Sequence, residues 1–508
     1  MKPVNMNKLI LLLAGLVFII TVNQAQTFAP IAFNNSIFGQ SSNHEECTIG
    51  VAIGNVTADG RPLLWKTRDF ASSLNNEVKY NTSFKYKFIC VSDSATSTLS
   101  WMGVNEHGFA IVNSESTDLP TNSTGPGDGT LMRDVLGNCL TVLEFQKYLD
   151  STNTTGRATA ANFAVIDSAG AAAIFETGGN VYYRFNADTA AHGYLIRTNF
   201  SVNGGGSAGI QRYNRSSALI DNFYKGDTLD YKSILRYQMR DFSDSNSNPI
   251  SVPYQGVWES GVPYGYIYSD YSICREASVA AAVIQGVKPT EHPGLSTMWT
   301  ILGQPATSVA IPYWPVGVTP ADADGSNTAP LCNEANEIRA RLFNYSTNVN
   351  YINTHDLLNG QGSGLWTCLF PLEDYILTES QQYIDSLRLL TALPVSSMLN
   401  KEADNDDYVL LNLQNCMNSI TGINNESELN DLIKVFPNPT RDEIQVISNQ
   451  LSVNSIEIFN SLGEKIYYSP ITDNRLPITI NISDIPSGVY FVEVNTENGV
   501  GVKQFVKE

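Results

Sequence analysis

The chain has 508 residues, with 50 acidic side chains against 31 basic ones and a formal net charge of −19. That charge argues against nucleic acid as a partner, because no basic field exists to displace counterions from phosphates, and it accords with solubility outside the cell. A hydrophobic fraction of 43 % supplies a substantial core, and the length suits about three domains. Lys2 and Lys8 precede an apolar run from Leu9 to Ile20, and a polar segment follows that ends in Ala25-Gln26. A charged start, a short apolar run and a small-residue cut point describe a signal peptide over residues 1–25. The run is too short for a spanning helix, which needs about 20 apolar residues. Later runs are shorter or more polar, so the mature protein is expected to carry no transmembrane segment. Residues 26–46 are polar and aperiodic and read as a propeptide.

From Cys47 to about residue 200, strand patterns dominate: CTIGVAIGNV, RPLLWKT, FKYKFICVS, HGFAIVNSES, ANFAVIDSAGAAAIFE and NVYYRFN. Turns at Ala58-Asp59-Gly60 and Asp167-Ser168-Ala169-Gly170 join several of them. One helix is expected over TLMRDVLGNCLTVLEFQKYLD, whose apolar residues recur at three-to-four spacing. SSALIDNFY adds a helix and SVAAAVIQGV a strand. These patterns predict a sheet-rich α+β domain with helices on the outer faces. Residues 420–432 form an acidic, Asn-rich linker that closes the main domain, 47–419. Residues 433–508 then carry seven short strands separated by Asn-Pro, Leu-Gly and Ser-Gly turns, the pattern of a small β-sandwich.

The seven cysteines (47, 90, 139, 274, 332, 368 and 416) show no CxxC pair, and the five histidines are scattered. Neither a metal nor a cofactor is expected from this pattern. Export permits disulfides, and the odd count leaves at least one thiol unpaired. Cys139 sits at helical spacing among leucines and Cys274 opens an apolar segment, so both read as structural.

Cys47 has a chemical reading of its own. If the Glu46–Cys47 bond is cut, Cys47 carries a free α-amino group, whose ordinary pKa of about 7.7 to 8.0 lets it accept the thiol proton. Nucleophile and base then reside on one residue, and no catalytic histidine is needed. The hairpin through Asp59-Gly60 returns Lys66 and Asp69 beside it, a cation to favour the thiolate and a carboxylate to orient the amine. A disulfide half or a core cysteine is the other reading of the same residue.

The stretch CTIGVAIGNVTADGRPLLWKTRDF resembles the start of an N-terminal-nucleophile (Ntn) hydrolase. It is most similar to the acyl-CoA:6-aminopenicillanic acid acyltransferase-like group, related to choloylglycine hydrolases and penicillin V acylases. WMGVNEHGFAIVNSES, NFAVIDSAGAAAIFE, IRTNFS and QRYNRSSAL follow in the family's order over about 47 to 225. The resemblance implies a four-layer αββα sandwich with Cys47 as nucleophile. It further implies Asn199 as an oxyanion-hole donor, Asn113 on the oxyanion side, and Arg212, with Arg215 as its rival, as an active-site arginine. Lys66 stands where the choloylglycine branch has arginine and Thr67 where asparagine is common. Those departures leave the substrate open, because lysine lacks the planar two-pronged guanidinium.

The implied activity is cleavage of linear C–N amide bonds, or transfer of the acyl group, on a small acyl-amide or peptide-like substrate. The alternatives are a non-catalytic surface binding protein on the same scaffold and a dipeptidase of the related Cys-Thr family. In the C-terminal module, VFPNPTRDEIQV, IEIFNSLGEKI, ISDIPSGVYFVEV and VKQFVKE resemble the type IX secretion system sorting domain. That resemblance implies the secretion machinery as a partner and a secreted or outer-surface location.

Overall fold

The computed structural model describes residues 46–70, 72–94, 98–325, 329–421, 433–448, 453–471, 477–496 and 499–508. The expected signal peptide, residues 26–45 of the expected propeptide and residues 422–432 of the expected linker lie outside the described residues.

The first half opens with β1 (Thr48–Ala52), β2 (Leu63–Asp69), β3 (Asn76–Asn81), β4 (Phe88–Asp93), β5 (Met102–Asn105) and β6 (Ala110–Glu115). Helices α1 (Asp128–Asn138) and α2 (Val142–Thr155) follow, then β7 (Ala161–Ile166), β8 (Ala172–Thr177), β9 (Tyr182–Asn186) and β10 (Tyr194–Arg197). Next come α3 (Ile210–Lys225), the single turn α4 (Tyr231–Ser233), and the short strands β11 (Phe242–Ser243), β12 (Pro249–Ile250) and β13 (Tyr266–Tyr268). The domain closes with β14 (Ser278–Gln285), β15 (Thr297–Leu302), β16 (Ile311–Tyr313), α5 (Pro330–Leu342), β17 (Tyr351–Asn353), α6 (Thr354–Leu357), α7 (Trp366–Leu387) and α8 (Val395–Thr421).

The segment expected as one helix is two. Cys139 caps α1 with its backbone N–H, and Thr141 starts α2 by accepting a hydrogen bond from the Glu144 N–H at 3.1 Å. Glu144 reaches back to accept from the Leu140 N–H at 2.6 Å. This reciprocal capping satisfies donors that a continuous helix would not have exposed, and it turns the chain.

Two antiparallel sheets carry the domain, one in the order β10-β1-β2-β14-β15-β16 and the other a meander from β3 to β9. Strand alternation sorts their side chains into three cores. On β4, Ile89 and Val91 join Ile49, Val51, Leu64 and Ala282 of the other sheet. Phe88 and Cys90 turn the opposite way, onto Leu131, Val135 and Leu136 of α1 and Phe145 of α2. Trp65, Val283 and Trp299 face away from the meander, onto Ile220 of α3 and Leu377 and Ile384 of α7. The layers therefore run helices, sheet, sheet, helices, which is the αββα order. Each fully buried large apolar side chain contributes roughly 1.5–3 kcal/mol.

Two glycines make the first hairpin possible. Gly60 holds φ +77 in the turn, a conformation side chains resist. Gly50 pairs directly with Trp65, and a Cβ there would come within 2.1 Å of the indole. The hairpin can therefore lie flat at its centre while both strands stay buried.

The C-terminal module has β18 (Ile433–Phe436), β19 (Glu443–Ser448), β20 (Val453–Asn460), β21 (Lys465–Pro470), β22 (Ile478–Asn481), β23 (Gly488–Thr496) and β24 (Gly499–Lys507). They form a three-stranded sheet, β18-β19-β22, and a four-stranded sheet, β21-β20-β23-β24. Ile444, Val446 and Ile480 of the first meet Ile456, Ile458, Val492 and Phe505 of the second. This is the expected sandwich. Among the described residues one disulfide is formed, Cys368–Cys416, tying α7 to α8, and the other five cysteines are buried outside any disulfide.

Candidate active site

Cys47 lies one residue before β1 and is fully buried. Its carbonyl oxygen accepts a hydrogen bond from Arg212 Nη1 at 2.9 Å. Arg212 stands in the first turn of α3, buried, and its Nη2 donates to Asn199 Oδ1 at 2.8 Å. Asn199 follows the end of β10, whose strand pairs with β1, so Cys47 and Asn199 are neighbours by register. The Asn199 Nδ2 donates to the Glu115 carbonyl at 2.8 Å, which fixes the orientation of its amide.

Asp69 ends β2 and is buried. Its Oδ1 accepts from Ser278 Oγ at 2.7 Å and its Oδ2 from Arg275 Nε at 2.8 Å, with Arg212 Nη1 3.9 Å away. Its backbone oxygen accepts the Glu46 N–H at 3.0 Å. Burial pushes the Asp69 carboxyl above its ordinary value, against the pull of Arg275, Arg212 and Ser278. Burial also lowers Arg212, and the like charge of Arg275 lowers it further. Burial works the same way on Arg275, but the carboxylates of Asp69, Glu46 and Asp270 outweigh it and hold that guanidinium above its ordinary value.

Lys66 occupies the inter-sheet face of β2. Its Nζ donates to Asn113 Oδ1 at 2.6 Å and to the Trp101 carbonyl at 3.1 Å. Asn113 in turn donates through Nδ2 to Asp128 Oδ2 at 2.8 Å, at the start of α1. Both ends of the Asn113 amide are thus engaged, and Asn113 links Lys66 to Asp128. A cavity of about 480 Å³ opens beside this group, lined by Phe70, Trp101, Glu115, Thr117, Leu119 and Asp128 among others. Trp101, Glu115 and Asp128 are the direct partners of Lys66, Asn199 and Asn113. The cavity is therefore walled by the residues that orient the candidate side chains.

Arg212 joins Cys47 and Asn199 by hydrogen bonds and Asp69 by a 3.9 Å ion pair, and Lys66 and Asn113 form a second, hydrogen-bonded pair. Arg215, the sequence rival of Arg212, instead grips Asp241 at 2.6 and 2.8 Å, apart from Cys47. Sequence reasoning missed Arg275, Ser278, Glu46 and Asp128. Arg275 stands among polar and charged neighbours, Asp270, Ser272 and Glu276, and left no signal that singles it out. His107 is a turn residue whose ring packs edge-on against Tyr86 at 4.8 Å. Among the described residues, no group of three or more His, Cys, Asp or Glu side chains is placed to hold a metal. No helix among them is long and apolar enough to cross a membrane.

Residues 56–250 match the family model of acyl-coenzyme A:6-aminopenicillanic acid acyl-transferase, and residues 434–508 match that of the secretion system C-terminal sorting domain. Both resemblances read from the sequence are borne out in these regions. The acyltransferase match begins after Cys47 and ends before Arg275. The sorting domain indicates secretion and a cell-surface location. A curated relative, the ulvan lyase NLR42 of Nonlabens ulvanivorans, is 26 % identical over 103 residues, 20 % of this chain and 18 % of that protein. The match thus spans less than a fifth of that relative's length.

Among solved structures, the chain is similar to a Caenorhabditis elegans N-acylethanolamine-hydrolyzing acid amidase ortholog, at 13 % identity and TM-score 0.29 over 47 % of this chain and 92 % of that one. It is also similar to the penicillin V acylase of Agrobacterium tumefaciens, at 14 % and 0.31 over 53 % and 85 %. The conjugated bile acid hydrolase of Clostridium perfringens matches at 16 % and 0.25 over 45 % and 70 %. Likenesses this distant say nothing about substrate or activity.

Proposed function

We propose that this chain is an exported amide-cleaving enzyme, a hydrolase or acyltransferase, whose nucleophile is the Cys47 thiol after scission of the Glu46–Cys47 bond. The observation that carries the reading is the position of Cys47: buried at the head of a central strand, its carbonyl gripped by a buried arginine that also holds Asn199. A cysteine kept only for packing does not call for two buried guanidiniums and a buried carboxylate around its backbone, since desolvating such charges is costly.

In the mature form the Cys47 α-amino group takes the thiol proton, and the thiolate attacks the amide carbonyl carbon of the substrate. The Asn199 amide donates to the oxyanion, a contribution of about 3–4 kcal/mol in the transition state. Asn113 serves to hold the buried Lys66 on the inter-sheet face of β2, and the charge of Lys66 favours the thiolate. Asp69, Arg212 and Arg275 fix the new N-terminus. The leaving amine receives the proton from the α-ammonium group, and the thioester passes its acyl group to water or to an acceptor amine. The adjoining cavity, part aromatic and part acidic, accommodates a small acyl amide.

The test is to sequence the N-terminus of the exported protein and to assay a panel of acyl amides and dipeptides, with Cys47→Ala as the control. Cys47 as first residue, with activity lost in the variant, supports the reading. An intact Glu46–Cys47 bond in active protein sinks it, and preference for dipeptides moves the substrate to the related dipeptidase class.

A further inference from the structure

We propose that Glu46, the residue before the nucleophile, is a positioning residue for cleavage of its own peptide bond. The inference rests on the self-cleavage reading and concerns a residue that the mature enzyme no longer carries.

Three contacts fix Glu46. Its N–H donates to the Asp69 carbonyl at 3.0 Å. Its Oε2 accepts from Arg275 Nη2 at 2.6 Å and lies 3.4 Å from Arg212 Nη2. On the other side of the scissile bond, Arg212 Nη1 holds the Cys47 carbonyl at 2.9 Å and the Thr48 hydroxyl at 3.3 Å. One guanidinium thus spans the bond to be cut, from the side chain before it to the carbonyl after it. Neither arginine is loose: Arg275 is anchored by Asp69 and Asp270, and Arg212 by Asn199. The peptide plane is held at both ends by groups that are themselves fixed, which is what a near-attack geometry needs.

The step balances without a co-reactant other than water. The Cys47 sulfur attacks the Glu46 carbonyl carbon, the C–N bond breaks, and the thiol proton goes to the departing nitrogen. That leaves the Glu46 acyl group as a thioester on Cys47 and a free α-amino group on the same residue. Water then breaks the C–S bond, giving a new carboxyl group on Glu46 and restoring the thiol. Release of Glu46 takes its side chain away from Arg275 and Arg212, so its task ends with the cut.

The experiment follows conversion of the full-length chain to the Cys47 form by intact mass, for wild type and for Glu46→Gln, Glu46→Ala and Glu46→Asp. Conversion is expected to slow about tenfold or more for Gln and Ala, with partial recovery for Asp. Once cut, all of them should show the wild-type kcat/KM. Uncut folding is compared in the Cys47→Ala background with and without Glu46→Gln. Melting temperatures within about 2 °C of each other support a positioning role. A melting loss that parallels the loss in cleavage overturns it, because the carboxylate would then only hold the fold. Wild-type conversion rates in Gln and Ala also overturn it, leaving self-cleavage itself intact. If the wild-type chain never yields an N-terminal Cys47, the self-cleavage reading fails instead.

Discussion

Among the buried arginine–carboxylate clusters of the main domain, those at Glu373 and Asp69 are alike in composition and differ in arrangement. Glu373 of α7 accepts from Arg240 at 2.6 and 3.0 Å, from Arg236 at 3.3 Å and from the Ala310 N–H at 3.1 Å. The other donors of Arg240 go to the carbonyls of Leu235, Pro305 and Ser308. Burial alone would raise Glu373, but Arg240 and its neighbours hold it below the ordinary carboxylate value. Asp69 has two arginines as well, yet burial wins and its carboxyl is raised. The difference lies in where the arginines spend their donors. At Glu373 they close on that carboxylate, on carbonyls of the scaffold and, through Arg236, on the neighbouring Asp374 of the same helix. At Asp69 they reach past it to Glu46, the Cys47 carbonyl and Asn199. On the proposed reading, the Glu373 cluster holds the fold and the Asp69 cluster holds the Glu46–Cys47 bond for cleavage.

That contrast can be broken from either side. Cys47→Ala should stop self-cleavage and lower amidase activity at least a thousandfold while leaving the melting temperature near wild type, as read by intact mass, an amide assay and calorimetry. Glu373→Gln should do the reverse. Removing one charge of a buried, bonded pair costs about 3–5 kcal/mol of stability, visible in urea unfolding, with little change in the activity of the folded fraction. Asn199→Ala should cut kcat of the mature enzyme about 10²–10³-fold with a smaller effect on KM.

The smallest effect concerns a third kind of buried carboxylate, one with no cation beside it among the described residues. Asp406 of α8 accepts from the Tyr313 hydroxyl at 2.7 Å, its Oδ2 has no hydrogen-bond partner among them, and burial raises it well above its ordinary value. Its folded pKa exceeds the unfolded value of about 3.9. Its stabilising share is therefore complete below about pH 4 and is lost as pH rises through the folded pKa. Asp406→Asn keeps an acceptor for Tyr313 and removes the charge. It should be neutral near pH 4 and gain about 1–2 kcal/mol by pH 8, measured by thermal unfolding across that range.

The parts of the molecule that were legible in the sequence are those set by local pattern. Alternation and Gly60 gave the β1–β2 hairpin, and seven short runs with turn residues gave the C-terminal sandwich. Cys47 could be suspected from its place before that hairpin. The break between α1 and α2 was written as Thr141-Val142-Leu143-Glu144, a capping signature, but the apolar spacing runs through it and masked it. Arg275 was out of reach for a different reason. It meets Asp69 only because β14 inserts beside β2, with Ser278 opposite Asp69, and that pairing joins positions far apart in the chain. Contacts made by sheet order leave no local trace.

The most direct test of Cys47 as a self-made N-terminal nucleophile is the first residue of the exported, active protein, read together with the state of its thiol. N-terminal sequencing should find Cys47, and iodoacetamide should modify it with loss of amidase activity in step. Active protein in which Glu46 is still joined to Cys47, or activity that survives full alkylation of Cys47, would contradict that role.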